Sequence, residues 1–326
     1  MGNNPQLFFL NASRSFGEHV AHRLALAAGA HEEREFEYGE HKTRPLVEVR
    51  DRDVYVIQSL HGDAAQSVND KLCRLLFFVG ALKDAAAARV TAVVPFLAYA
   101  RKDSRTNPRD PVTLRYLAAM FEAVGTDALV TLDVHNLAAY QNAFRCTAEH
   151  LDACHLFAEH FLPLVQGSET VVVSPDSGGV KRADRFRHCL SKVLGAPVQT
   201  AYCEKYRKAD QLSGDLLVGD VAGKAVIVYD DMIVSGQTMA RAAEVCRKQG
   251  ATRLFGAATH GLFSAGAAEA LDACALEAVL VTDSVAQFRS EQSVPAQLTV
   301  LGCGALFAEA IRRMYEGGAL SDLAAW

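Results

Sequence analysis

The stretch "VIVYDDMIVSGQT", residues 226–238, joins an apolar run, two adjacent acids and a Ser-Gly-Gln-Thr turn. It reads as a buried strand ending in Asp230 and Asp231, then a helix opening on Ser235, Gly236, Gln237 and Thr238. The free N–H groups and positive dipole of such a helix start attract an anion, phosphate above all. The hydroxyls of Ser235 and Thr238 add donors. Carboxylates repel a phosphate, so the two acids must meet a different part of the ligand. Vicinal sugar hydroxyls suit them, because an ionised carboxylate is a pure acceptor. The stretch points to a ribose 5-phosphate unit, with the phosphate on the turn and the diol on the acids. An ordinary capped helix after a strand has the same pattern, so the turn alone does not decide.

Three further clusters carry chemistry. "YARKDSRTNPRD" (99–110) sets Arg101, Lys102, Arg105 and Arg109 beside Asp103 and Asp110. Dense guanidinium groups grip a polyphosphate bidentately, although a solvated, salt-bridged loop reads alike. His135 in "LDVHN" and Asp176 in "SPDSGG" each follow a strand. A nucleotide brings Mg²⁺, which takes few protein ligands and keeps water and phosphate oxygens. Histidine is an uncommon ligand for it, and hydrogen bonding is the alternative role for His135. "EKYRK" places Lys205 and Arg207 at i and i+2, on one side of an extended segment. The polar stretch after it, "KADQLSGDLLVGD", reads as a loop. Two cations on a mobile loop fit charge neutralisation in a transition state; an exposed hairpin is the plainer alternative.

These clusters need a scaffold that brings strand ends together. Apolar runs at 53–60, 89–97, 128–134, 170–176, 224–232, 254–262 and 277–283 predict strands. Helical periods at 69–85, 111–125, 178–194 and 237–250 predict helices, the second with Pro111 in its first turn. Such alternation implies an α/β fold with parallel sheets covered on both faces. Ligands of parallel sheets bind beyond the carboxyl ends of strands, where all four clusters fall. "VVPFLAYARKD" pairs with "VVVSPDSGGVKR", and "LVTLDVH" with "VIVYDDM", as in a duplication. The expected domains are 1–150 and 151–303, with a last helix in 304–326 packing back on the first.

Composition narrows the class. The 326 residues are half hydrophobic and 22% charged, which suits a soluble chain of two domains. A net charge of −5 and a pI near 6.1 offer nothing to nucleic acid or to a membrane surface. No apolar run reaches the ~18 residues of a membrane span. The first twenty residues lack the basic segment of a signal peptide, and Gln6 stands where a myristoylation motif wants Ser or Thr. Eight cysteines without CxxC spacing read as free thiols in a reducing, cytoplasmic compartment.

Together and in this order the clusters resemble the ribose-phosphate pyrophosphokinase (phosphoribosyl diphosphate synthetase) family, from "FEYGEHKTRP" to "FAEAIRRMYE". "NDKLCRLLFFVGALKDAAAARVTAVVPFLAYARKD" and "VVVSPDSGGVKRA" are the most specific parts. The resemblance implies two phosphoribosyltransferase-type domains, each a mainly parallel sheet flanked by helices. It implies transfer of the diphosphoryl group of MgATP to the 1-hydroxyl of ribose 5-phosphate, giving phosphoribosyl diphosphate and AMP, a step of nucleotide biosynthesis. It also implies Mg²⁺ as cofactor and a dimer-based homo-oligomer, up to a hexamer. Phe36, Tyr38, Gly39, Glu40, Arg101, Lys102 and Asp103 match ATP positions, with 36–40 reaching across a subunit interface. His135 and Asp176 match metal positions, and Lys205 and Arg207 a catalytic pair. Arg207, Asp230, Asp231 and the turn Val234 to Thr238 match the ribose 5-phosphate site. The chain departs from the family pattern at Tyr38, where an acid is usual, and at Ser177, where a histidine is common. Gln237 stands where glycine is common and would crowd the backbone. The stretch after His135 is one residue longer. A phosphoribosyltransferase uses the same turn, and a catalytically silent paralogue of the synthetase is a further reading.

Overall fold

The apolar runs form the strands of two mainly parallel sheets in the computed structural model, which describes residues 5–208, 211–286, 294–321 and 323. The side chains of 205–208 and 211–215 lie outside that description. The chain divides into two compact units between Asp152 and Ala153. Ser284–Ala286 and Cys303–Leu323 belong to the first.

The first unit opens with β1 (Gln6–Phe9), α1 (Arg14–Leu24) and a hairpin of β2 (His31–Glu35) and β3 (His41–Pro45). Then come β4 (Asp53–Ile57), α2 (Val68–Asp84), β5 (Arg89–Val94) and α3 (Thr113–Ala123). It continues with β6 (Ala128–Leu132), α4 (Leu137–Ala143) and β7 (Thr147–Leu151). Its sheet runs β1-β4-β5-β6-β7, every pair parallel.

The second unit holds α5 (Cys154–Val165), β8 (Thr170–Ser174), α6 (Val180–Leu194), β9 (Gln199–Lys208) and β10 (Gln211–Val218). There follow β11 (Ala225–Ile233), α7 (Gln237–Lys248), β12 (Arg253–Gly261), α8 (Ala267–Asp272), β13 (Ala278–Thr282) and β14 (Leu298–Leu301). Its sheet runs β10-β9-β8-β11-β12-β13-β14, and only the β9–β10 pair is antiparallel. A last helix, α9 (Gly304–Glu316), packs on α1, with Phe307 edge-on to Phe16 at 5.4 Å. Among the described residues no helix is long and apolar enough to cross a membrane.

Among the differences from the sequence expectation, three lie beside candidate site residues. Pro111 stands ahead of α3 and not in its first turn, because the N-cap Val112 (φ −94°, ψ 78°) is still non-helical. The stretch 208–220, expected as a loop, contains β10, which pairs with β9 and sets Leu217 against the second core. The β2–β3 hairpin was hidden by its charged strands, "HEERE" and "HKTRP". It is held to α2 by Arg74, 2.8 Å from Glu35, and by His41 stacked on Phe77 at 5.5 Å.

The strand that carries the paired acids is fixed from below by aromatic packing. Tyr229, the residue before Asp230, stacks on Phe186 of α6 at 4.4 Å and 18°. Phe157 meets Tyr229 edge-on at 5.7 Å. Phe157, Phe161, Phe186 and Tyr229 are all buried. Truncating such a ring loses its transfer energy and leaves a cavity. Phe186→Ala should therefore destabilise the second unit by about 3–5 kcal/mol. Tyr116→Ala, at an exposed position of α3, should stay within about 0.5 kcal/mol. Urea unfolding of both variants checks this, and parent-like curves for Phe186→Ala would contradict the packing.

Candidate functional site

Asp230 and Asp231 lie short of the end of β11. The strand continues to Ile233, which pairs with Gly261 of β12. Val234 and Ser235 then lead to Gly236, the N-cap of α7, at φ 72°. The Val234 carbonyl accepts from the Ser264 N–H at 2.8 Å and from its hydroxyl at 3.1 Å, which braces the turn. Gly236, and not the residue after it, is where glycine is required. Its φ is left-handed, and a Cβ there would lie 3.0 Å from the Ala267 carbonyl oxygen and 3.0 Å from Leu271 Cγ. Gln237 is the first residue of α7 and exposed. A glycine N-cap has no side chain to cap the first turn, which leaves those N–H groups to an outside acceptor. Ser235 and Thr238 are exposed beside them. A cleft of 430 Å³ runs from Gln237 and Thr238 past Arg241 to Ala273.

The acids are not left to a ligand alone. Arg182, in the first turn of α6, places Nη1 2.8 Å from Asp230 Oδ1 and 3.5 Å from Asp231 Oδ1. The Asp231 N–H donates to the same Oδ1 at 2.8 Å. Burial, and then the neighbouring Asp231 charge, push the Asp230 carboxyl up to about 7, while Arg182 pulls it down. Sequence reasoning missed Arg182. In "VKRADRFRH" it reads as part of a solvated basic face, and its one signal was a place in the first turn after a strand end.

Asp176 caps the short 3₁₀ turn Ser177–Gly179, its Oδ1 accepting the Gly179 N–H at 3.0 Å. The Ser174 hydroxyl donates to the Asp176 carbonyl at 2.6 Å. Among the described residues no three His, Cys, Asp or Glu side chains form a cluster of the kind a dedicated metal cage needs. Mg²⁺ does not need one. A single carboxylate with phosphate and water oxygens is its usual environment, and Asp176 fits that. Lys205 and Arg207 lie on β9, in register with Asp215 and Leu212 of β10. Their side chains fall outside the described residues.

In the first unit Phe36 to Glu40 make the β2–β3 turn. The Phe36 N–H donates to the Glu40 carbonyl at 2.8 Å, and the Gly39 N–H to the Phe36 carbonyl at 2.9 Å. Gly39 has φ 92°. Tyr38 stacks on Phe36 at 6.0 Å and is 73% exposed, so the turn presents an aromatic face to solvent. Arg101 and Lys102 are exposed in the loop after β5. The Lys102 carbonyl accepts from the Leu114 N–H at 3.1 Å, which ties the loop to α3. Asp103 accepts from the Asn136 side chain at 2.8 Å. Asn136 also caps α4 through the Ala139 N–H at 3.2 Å. That pair joins the 99–110 loop to the loop of His135, a contact between residues 33 apart that no local pattern announced. Asp110 holds its own turn, accepting from the Thr106 hydroxyl and the Asn107 N–H at 2.8 Å each; these bonds lower its pKa.

The structure thus brings Arg182 of α6 onto Asp230 and Asp231 of β11, the strand that leads into the 234–238 turn of the second unit. In the first unit it brings Asp103 to the His135 loop. Comparison with known proteins adds the family. The profile of the N-terminal domain of ribose phosphate pyrophosphokinase matches residues 5–125, and that of the phosphoribosyl synthetase-associated domain matches 213–325. A protein of Streptococcus pyogenes serotype M6, provisionally named ribose-phosphate pyrophosphokinase 2, is 36% identical over 98% of this chain and 94% of its own. A relative from Streptococcus pneumoniae serotype 4 with the same provisional name is 34% identical over 99% of this chain and 97% of its own. The crystal structure of phosphoribosylpyrophosphate synthetase from Mycobacterium smegmatis superposes with a TM-score of 0.85 at 34% identity, covering 97% of this chain and 100% of that one. Profiles, relatives and fold agree over nearly the whole length, and the chain belongs to the ribose-phosphate pyrophosphokinase family.

Proposed function

We propose that the protein is a ribose-phosphate diphosphokinase, which moves the diphosphoryl group of ATP to the 1-hydroxyl of ribose 5-phosphate and releases AMP. The observation that carries this reading is the join of β11 to α7. There a glycine-capped helix start with exposed Ser235 and Thr238 follows within a few residues of two carboxylates on one strand. A phosphate acceptor and a diol acceptor at that spacing fit a sugar 5-phosphate better than a nucleotide triphosphate.

The sugar 1-hydroxyl attacks the β-phosphorus of ATP in line, its oxygen forms the new P–O bond and gives up its proton to solvent, the bond from the β-phosphorus to the bridging α-phosphate oxygen breaks, and AMP leaves with that oxygen. Phosphoryl chemistry of this kind asks little covalent work of a protein, so positioning and charge stabilisation dominate. The first turn of α7 holds the 5-phosphate. Asp230 and Asp231 orient the ribose hydroxyls. Arg101 and Lys102 grip the ATP phosphates, with Asp103 fixing their loop through Asn136. The turn of Phe36, Tyr38, Gly39 and Glu40 offers stacked rings to the nucleotide, delivered to a neighbouring subunit in a homo-oligomer. Asp176 and His135 are the residues offered to Mg²⁺, which when bound supplies the positive charge that ATP phosphates need. Lys205 and Arg207 neutralise charge on the diphosphoryl group as it transfers.

The direct test is release of AMP from ATP in the presence of ribose 5-phosphate, with phosphoribosyl diphosphate formed in equal amount. No AMP above the rate without sugar would return the chain to the silent-paralogue reading. Lys205→Ala probes the chemical step. A donor lost from a transition-state site costs about 10²–10³ in rate. Steady-state kinetics should show turnover lower by about that factor, with both KM values far less affected. Turnover within a few-fold of the parent contradicts the role given to Lys205.

A further inference from the structure

Asp230 has two carboxylate oxygens, and the protein treats them unequally. Oδ1 accepts twice, from Arg182 Nη1 and from the Asp231 N–H, both at 2.8 Å. The Asp231 carboxyl shares a further side-chain hydrogen bond with Asp230, and the Asp230 side chain is 20% exposed, so it is not sealed from solvent. Arg182 itself is 13% exposed and spans both acids. A buried ion pair is weak evidence for stability, because desolvation cancels much of the attraction. The loop before α6 closes tightly on Ser174 at Gly179. A Cβ on Gly179 would lie 3.4 Å from Arg182 Nη1 and 2.6 Å from Ser174 Oγ.

Resting on the diphosphokinase reading, we propose that Arg182 is the positioning residue of the sugar end: it grips Asp230 Oδ1 and so sets the angle at which the carboxylate meets the ribose hydroxyls. The leading charges acting on Asp230 are Asp231 on its own strand and Arg182 on α6, while β12 presents Ala258 opposite it. Burial and the Asp231 carboxyl favour the protonated acid; Arg182 and, less strongly, the Asp231 backbone N–H oppose them. Removing the guanidinium therefore raises the pH at which Asp230 ionises. Sugar binding that needs the carboxylate then requires a higher pH. The "SPDSGGVKR" segment so has two tasks, with Asp176 at its start and Arg182 one turn into its helix.

The test is calorimetric binding of ribose 5-phosphate, and separately of an unreactive ATP analogue, to the parent, Arg182→Gln and Arg182→Lys between pH 6 and 9. A hydrogen bond to a charged group is worth roughly 1.5–3 kcal/mol, or about one to two decades in Kd. Arg182→Gln should weaken ribose 5-phosphate by about that much near neutral pH, recover part of it at pH 9, and leave the ATP analogue unchanged. Arg182→Lys, which keeps the charge but grips with a single ammonium, should lose only several-fold; if the glutamine variant does not fold, this variant carries the test. In an Asp230→Asn background Arg182→Gln should add little. Parent-like affinity in the folded variants overturns the inference, as does loss of both ligands together with no change in pH dependence. A parent protein that binds no ribose 5-phosphate overturns the diphosphokinase reading and this inference with it.

Discussion

Two adjacent carboxylates inside a buried parallel strand set the problem that the second unit solves. A charge in a low-dielectric interior is costly unless it is paired and hydrogen-bonded. Here Arg182 of α6 pairs with both. For the guanidinium to arrive, α6 must start where it does, on a turn capped by Asp176 and closed on Ser174 at Gly179. For the carboxylates to stay where the guanidinium meets them, β11 must not slide, and the Tyr229–Phe186 stack holds it against the same helix. Packing, capping and electrostatics in this unit converge on one pair of side chains.

The neighbouring turn shows how a backbone constraint becomes chemistry. Gly236 is left-handed because the chain must leave β11, pass close over Ala267 and Leu271, and enter α7 at once. The same glycine deprives the helix of a capping side chain, and that makes its first N–H groups available to an anion. The first unit works by a different device. Its polar loops hang on helix starts: Tyr99 donates to Asn69 in the first turn of α2, and Asn136 caps α4 while holding Asp103.

Much of this was legible in the sequence where the signal was hydrophobic. "AVIVY", "VVVS" and "VTAVV" are strands because they are buried on both faces, and near-continuous apolar runs say so. The acids and the turn were legible as types and spacing. Arg182 was not, since a basic residue in "KRADRFR" looks the same whether it faces water or a buried carboxylate; burial by tertiary packing decides, and composition does not record it. The β2–β3 hairpin was hidden for a related reason. Its strands are held by a salt bridge and a ring stack to α2 and not by an apolar stripe. Which residue of the turn is left-handed was equally invisible, because the approach of the 262–271 segment sets it.

The central claim is a division of labour within one ligand, with the phosphate on the opening of α7 and the diol on Asp230 and Asp231. Comparing ribose 5-phosphate with 2-deoxyribose 5-phosphate by calorimetry, in the parent and in Asp230→Asn, tests it most directly. The account predicts that removing the 2-hydroxyl costs the parent about one to two decades in Kd, a lost hydrogen bond to a charged acceptor. It predicts that the gap between the two sugars largely closes in Asp230→Asn. An equal gap in both proteins would mean that the acids do not read the ribose, and would contradict the account.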